Sequence, residues 1–445
     1  MASQEEVFDV CIVGAGPSGS VCAWYLRQAG KRVLVLDKRE FPRDKICGDA
    51  VCLNAQVHMS KMGVLQELER EGKGNWSEIG GLVAPSGAGF IGNSVDFSGK
   101  RLVIAVKRMI LDEKMARAAQ KAGAELKEHT TFTGGALDKT AGIWTIETQG
   151  NDGSKKQYRA KMLVAADGAH SSVTQALGIP TPPPDGICSR AYVKAGTHNF
   201  DADGIAFYTR ELIPGYAAIF KEANGDLNFC TYIIPGGSAK NDDLKDIHHR
   251  LLKEHPYISK VIGPNAEIEK MKGAPLRLGG TLKTYFDHMV VIGDAAGHID
   301  PLTGEGIHTA MDGGWMAAEE IIKCFAANDF SEARLKAYED RWMEAFGKDF
   351  RMSAMMARVY TRLPIFVEAS ARVMQKKGLS VLNEWGRIMT GAEPKLNFLK
   401  PRLVLPILVE AAKLLLSGNK NTEVVFLKGT DRGTWKPQGS SQRAA

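Results

Sequence analysis

The chain has 445 residues, 44% hydrophobic and 24% charged, with 57 Lys+Arg against 51 Asp+Glu. That length predicts two or three lobes rather than one, and so small a basic excess does not imply a nucleic-acid partner. Seven scattered cysteines without a CxxC pair exclude a disulfide framework and point to a reducing compartment, while no apolar run reaches the ~18–20 residues of a spanning helix.

The short acidic start MASQEE reads as neither signal nor transit peptide, because a strand begins almost at once. The stretch Val7 to Arg39 organises the rest of the chain. An apolar run, Val10 to Val13, meets Gly14, Gly16 and Gly19; a helix is expected from Ser18 to Ala29; a second apolar run, Val33 to Leu36, ends on Asp37. Strand, glycine turn, helix, strand and acid form the pattern of a dinucleotide site. Gly14 permits the tight turn, Gly16 lets the backbone approach a pyrophosphate, and Gly19 lets helix and strand pack closely. The helix N-terminus offers free N–H groups and a positive dipole end to that pyrophosphate. Asp37 can accept hydrogen bonds from ribose hydroxyls.

A charged loop, residues 38–50, comes next. Residues 53–71 have a helical pattern, a strand is expected over Arg101–Val106, and Arg108 opens an amphipathic helix with Met109, Leu111, Met115, Ala118 and Ala119 near one face. Strands follow at 131–133 and 143–147, with a hairpin turn at 151–154. An apolar strand then ends on Asp167-Gly168. After the linker PTPPPD, alternating strands with one helix near 243–254 predict a mostly antiparallel second lobe. MVVIGDAAG at 289–297 returns to the first lobe, a long helix starts near Gly306, and the chain beyond about 330 is helical.

GAGPSG at 14–19, Asp167-Gly168 and GDAAG…PLTGEG at 293–306 together resemble the flavoprotein monooxygenase superfamily, the para-hydroxybenzoate hydroxylase fold, over residues 8–350. The resemblance implies FAD and an α/β architecture. A Rossmann-like FAD-binding domain (1–60, 101–180, 281–350) is interleaved with an α+β antiparallel-sheet substrate domain (61–100, 181–280), and a helical C-terminal region (351–445) follows. It implies that Asp294 holds the ribityl hydroxyls and that Gly304 and Gly306 let backbone pass close to the flavin. The helix opening at Ile307 would aim its positive end at the ring edge that becomes anionic on reduction. Arg108 would meet the FAD phosphate or ribityl region.

Finer features resemble the geranylgeranyl reductases: KICGDA at 45–50, PGYAAIF at 214–220, GAPLRLGG at 273–280, MTGAEPK at 389–395 and FLKP at 398–401. Three positions depart from the pattern. Ala218 stands where that family has Trp, Lys221 where it has Pro, and Thr174 where Arg is common. The first two imply a wider pocket or a different substrate. By this resemblance Cys47 and Gly48 approach the flavin. The Cys47 thiol either relays a proton or is a small residue fitting a tight loop. Tyr216 and Phe220 are candidates to line the substrate pocket; Tyr208, Phe229 and Tyr232 alternate on the same strands, as core aromatics would too. His308 reads as a packing group rather than a base, and no Cys/His spacing suggests a metal.

The resulting expectation is an FAD-dependent oxidoreductase that reduces carbon–carbon double bonds of a geranylgeranyl chain, by hydride transfer from flavin and protonation. The alternative is an FAD-dependent monooxygenase, a hydroxylase or epoxidase acting on a hydrophobic substrate. With a single glycine-rich nucleotide fold, the reductant has to react transiently at the flavin, whether NAD(P)H or an electron-donor protein. The expected partner is an isoprenoid or lipid-like substrate, and the expected location is cytoplasmic. Residues 402–417 place Arg402, Pro406, Glu410, Lys413 and Ser417 on one narrow face of an otherwise apolar helix. That helix either lies on a membrane surface or packs against the body. The flanking Lys395, Lys400, Arg402, Lys413 and Lys420 favour an anionic, peripheral membrane contact.

Overall fold

The computed structural model describes residues 6–93, 101–280, 283–417 and 424–426. One sheet has the strand order Tyr285–Phe286, Met289–Val291, Lys155–Ala165, Val7–Val13, Val33–Leu36, Glu125–Lys127. All neighbours after the first pair run parallel. The apolar runs of the sequence are these strands, because a parallel sheet is covered on both faces. Val10, Ile12, Val33 and Val35 face helices Pro17–Gln28 and Ile307–Ala327, while Phe8, Cys11, Leu34 and Leu36 face the hairpin residues Phe132, Trp144 and Ile146. The two helices lie so close that a Cβ on Gly314 would sit 2.3 Å from the Ser18 carbonyl oxygen.

The second sheet runs Lys272–Leu276, Gly186–Val193, Leu227–Ile233, Tyr216–Lys221, Gly204–Phe207, Ile79–Val83, Gly89–Asn93, Val424–Phe426. It is mostly antiparallel, as expected, and includes strands from residues 61–100. Its last strand comes from the C-terminal region, so that region is not purely helical. A small sheet of Ala50–Cys52, Val103–Ala105 and Asn75–Trp76 joins the lobes.

Local expectations shift in three places. The helical pattern at 53–71 is two helices, Leu53–Lys61 and Val64–Arg70, broken where Gly63 adopts φ 77°. Met109 is exposed, because the helix Arg108–Lys121 buries the face of Leu111, Met115 and Ala119. The polar stripe of helix Pro401–Ser417 turns inward at Glu410, which pairs with Arg372 and Lys376, while Leu405, Leu408, Val409, Leu415 and Leu416 face out. Lys395 is not a surface flank: it is buried against Asp300 at 2.9 Å. Lys420 lies outside the described residues. Among the described residues no helix is long and apolar enough to cross a membrane.

Candidate functional site

Strands Val7–Val13, Lys155–Ala165 and Met289–Val291 all end on one cavity, the place where parallel α/β sheets bind ligands. Gly14, Gly16, Asp37, Cys47, Arg108, Asp294, Gly304, Gly306 and Ile307 line it. Gly19 lies behind the wall, where a Cβ would be 1.9 Å from the Gly14 carbonyl oxygen. Gly48 is also recessed; a Cβ there would meet the Tyr232 hydroxyl at 2.6 Å and Phe220 at 3.4 Å. Tyr232 itself reaches the cavity. Tyr216 stacks on it at 5.1 Å, and its hydroxyl donates to the Thr303 carbonyl at 2.5 Å. Phe229 belongs to the core of the second sheet and Tyr208 packs toward the C-terminal helices. Ala218 is fully buried beside Tyr232 and Ile299.

Charge around the cavity is arranged in pairs. One Asp37 oxygen accepts the Ala15 N–H at 3.0 Å and Arg43 at 3.1 Å, and the other accepts the Arg39 N–H at 3.0 Å. Arg43 also reaches Asp112 at 3.0 Å, and Asp112 holds Arg108 through bonds of 2.7 and 2.9 Å. Arg108 is therefore a buried, fixed cation rather than a solvated helix start. Lys45 pairs with Asp294 at 2.7 Å. Burial pushes the Asp294 carboxyl up, but Lys45 outweighs it and holds the group below its ordinary value. Asp167 caps its own turn, accepting from Ser171, Ser172 and the Val173 N–H.

The loop carrying Cys47 is clamped between lobes. Asp49, at φ 62°, accepts the Arg108 N–H at 3.3 Å, the Tyr192 hydroxyl at 2.5 Å and the Asn228 amide at 2.8 Å. Asn228 also donates to the Cys47 carbonyl at 2.9 Å. Burial raises the Asp49 carboxyl to about 6, against the pull of Tyr192 and Arg190. At the other end of the loop Arg190 grips both oxygens of Asp44 at 2.8 Å, and this bond lowers the Asp44 carboxyl to about 2. Burial raises the Cys47 thiol above its ordinary value while Arg108 opposes it, so the sulfur keeps its proton at neutral pH.

Sequence reasoning missed Arg43, Lys45, Asp49, Tyr192, Asn228 and Glu305. The local signals were the density of charge in the loop after Asp37, for Arg43, Lys45 and Asp49, and the glycine motif that holds Glu305. Glu305, between Gly304 and Gly306, is pushed up to about 7 by burial, with Lys395 opposing. Cys52, Glu305 and His308 bring their donor atoms within 4.8 Å of one another, a cluster that residue spacing did not suggest. The buried ammonium of Lys395 already supplies a positive charge to this carboxylate. Burial lowers His308 to about 4, leaving it neutral and packed near Phe346.

The lining fits FAD by its donor set. Helices Pro17–Gln28 and Ile307–Ala327 both begin at the cavity, and neither N-cap has a side-chain hydrogen bond, so their first N–H groups are free for an anion. A Cβ on Gly16 would meet only the Arg43 guanidinium, at 3.8 Å, so this backbone faces open space. Arg43, Lys45 and Arg108 would counter the diphosphate, and Asp37 and Asp294 would accept from ribose and ribityl hydroxyls.

Residues 7–346 match the FAD binding domain family. Conditioned medium factor receptor 1 of Dictyostelium discoideum is 47% identical over 94% of this chain and 84% of its own length. Digeranylgeranylglycerophospholipid reductase 2 of Methanopyrus kandleri is 30% identical over 80% of this chain and 87% of its own. Among solved structures, a geranylgeranyl bacteriochlorophyll reductase-like protein of Thermoplasma acidophilum superposes with a TM-score of 0.71 at 22% identity, covering 91% of this chain and 100% of that one. A flavin-dependent brominase superposes with a TM-score of 0.69 at 21% identity, covering 94% and 100%. Both structural likenesses speak to the fold.

Proposed function

The chain belongs to the FAD binding domain family as a geranylgeranyl reductase-like FAD-dependent oxidoreductase, and we propose that it saturates carbon–carbon double bonds in the isoprenoid chain of a lipid. The observation that carries this reading is the Cys47-Gly48 loop, clamped by Asp49 and Asn228 at a cavity wall that also contains Tyr232, Ile299 and Leu276.

When bound and reduced, FAD supplies the hydride, and this chain supplies position and a proton. An isolated double bond is unpolarised, so both carbons must be held still in a dry pocket. Tyr232, Ile299 and Leu276 provide the apolar wall. The Cys47 thiol stays protonated beside it and is the proposed proton donor; the fixed charge of Arg108 stabilises the thiolate left behind. The proton that Cys47 gives up is restored from solvent after turnover. The electrons come from NAD(P)H or an electron-donor protein reacting transiently at the cavity.

The exposed leucines of helix Pro401–Ser417 support peripheral contact with a membrane, from which such a substrate would be drawn. The cytoplasmic face is the proposed location.

The test incubates the FAD-loaded protein, chemically reduced, with geranylgeranyl diphosphate in the absence of oxygen. A product heavier by two hydrogens per bond is expected. No saturated product without oxygen, and an oxygenated product in air, would overturn the reductase reading in favour of a monooxygenase. A receptor role, brought by the name of the 47% identical relative, is the second reading. It predicts a protein whose bound flavin no reductant or substrate combination turns over.

A further inference from the structure

The protein has a second cavity, of about 470 Å³. Its floor is apolar, including Ile234, Leu278, Trp342, Phe350 and Ala357. Leu278, which lines the second cavity, is bridged through its backbone to Ile299, which lines the first. Arg351, Arg358 and Arg362 of helix Glu332–Arg362 line the second cavity as well, and all three are exposed.

Spacings of seven and four residues put these arginines on one helix face, spread over ~16 Å at the ordinary helical rise. None of the three has an ion pair or side-chain hydrogen bond among the described residues. The acid lining the cavity is Asp185, and one of its oxygens is engaged by the Leu278 N–H at 3.1 Å. Three like charges on one face repel one another, and Arg358 and Arg362 do so at the i, i+4 distance. Arg43 and Arg108 at the first cavity are, by contrast, held by carboxylates. Here the positive charge is left for something from outside.

A guanidinium fork matches phosphate oxygens in pairs. Free phosphate would use the arginines and leave the apolar floor bare. A neutral lipid would use the floor and leave the arginines unanswered. We infer that this second cavity is a headgroup site for an isoprenoid lipid bearing a phosphate or diphosphate. Its anion meets Arg351, Arg358 and Arg362, and its first apolar units rest on Leu278, Phe350 and Ala357. The inference rests on the reductase reading and deepens it by naming the headgroup chemistry of its substrate.

The test uses the full-length, FAD-loaded protein and isothermal titration with geranylgeranyl diphosphate, geranylgeraniol and inorganic phosphate. The diphosphate is expected to bind at least about tenfold tighter than the alcohol, a gap that one or two charge-assisted contacts supply. In the double variant Arg358→Gln/Arg362→Gln that gap is expected to close to about threefold or less. Flavin absorbance confirms that the variant is folded, and Arg358→Lys/Arg362→Lys is expected to fall between. A wild type without preference for the diphosphate, or a double variant that keeps it, overturns the headgroup site. Inorganic phosphate binding as tightly as the prenyl diphosphate overturns the lipid assignment. An arginine-dependent preference without saturated product leaves the site standing and overturns the reductase reading. Saturated product without that preference does the reverse.

Discussion

The cavity loop and the C-terminal helix handle polar and apolar surface in opposite ways. Around the cavity Asp49 and Asp112 are fully buried and Arg190 is 2% exposed, yet each is bonded. Along helix Pro401–Ser417 Leu415 and Leu416 are 74% and 90% exposed, while Glu410 is turned in. The first arrangement uses hydrogen bonds to hold one loop between two lobes, which rigidifies a site. The second leaves apolar area in water, which a surface tolerates in patches that something else covers. Buried bonded charge marks where geometry matters; exposed leucine marks where another phase or partner comes in.

The sharpest way to break the comparison is at the cavity floor. Gly14→Val places side-chain atoms against the Ala166 carbonyl, where even a Cβ would be 2.3 Å away, at φ 104°. The expected outcome is complete loss of bound flavin, read by absorbance. Cys47→Ala is expected to lower turnover by about a hundredfold or more with flavin content kept, the size of a missing general acid. A change under about threefold would reduce Cys47 to a loop-packing residue. Asp49→Ala leaves the Tyr192 hydroxyl, the Asn228 amide and the Arg108 N–H without their acceptor. A loss of about 3 kcal/mol in urea unfolding is expected, with weaker FAD binding.

Glu305 sharpens the comparison through pH. Its carboxyl rises from 4.5 to about 7 in the fold, so the folded state holds the proton more tightly than the unfolded one. The associated stability is present below pH 4.5 and is lost as pH rises toward about 7. Glu305→Gln is expected to flatten that decline by on the order of 1–2 kcal/mol, allowing for the 27% exposure of the side chain. An unchanged slope of urea midpoint against pH would remove Glu305 as its source. The smallest stability effect is expected at the other region. Leu415→Glu/Leu416→Glu should change unfolding by about 0.5 kcal/mol or less yet abolish co-sedimentation with anionic vesicles. Retained co-sedimentation would assign that face to another partner.

The alternation of the two strands around Gly14–Gly19, the return at Met289–Val291 and the antiparallel second lobe were all legible in the chain. Each is written in local periodicity and in glycines that only a particular backbone needs. Gly14, Gly16 and Asp37 were named from such local patterns and Cys47, Arg108, Asp294, Gly304, Gly306 and Ile307 from the family resemblance, and the fold brings them all to one wall. Asp49, Tyr192 and Asn228 were not, because a hydrogen bond across 143 or 179 residues leaves no periodic trace. The inward turn of Glu410 escaped for the same reason. A helix reads its own amphipathicity but not which neighbour covers which side, and the cations of Arg372 and Lys376 decided that. The sequence by itself determined the cofactor-binding frame, since the parallel strands and glycine turns follow from short-range sterics and burial. Only the tertiary structure decided which charges are paired, which leucines stay outside and which arginines are left for a ligand, because those outcomes depend on distances that close only when the lobes meet.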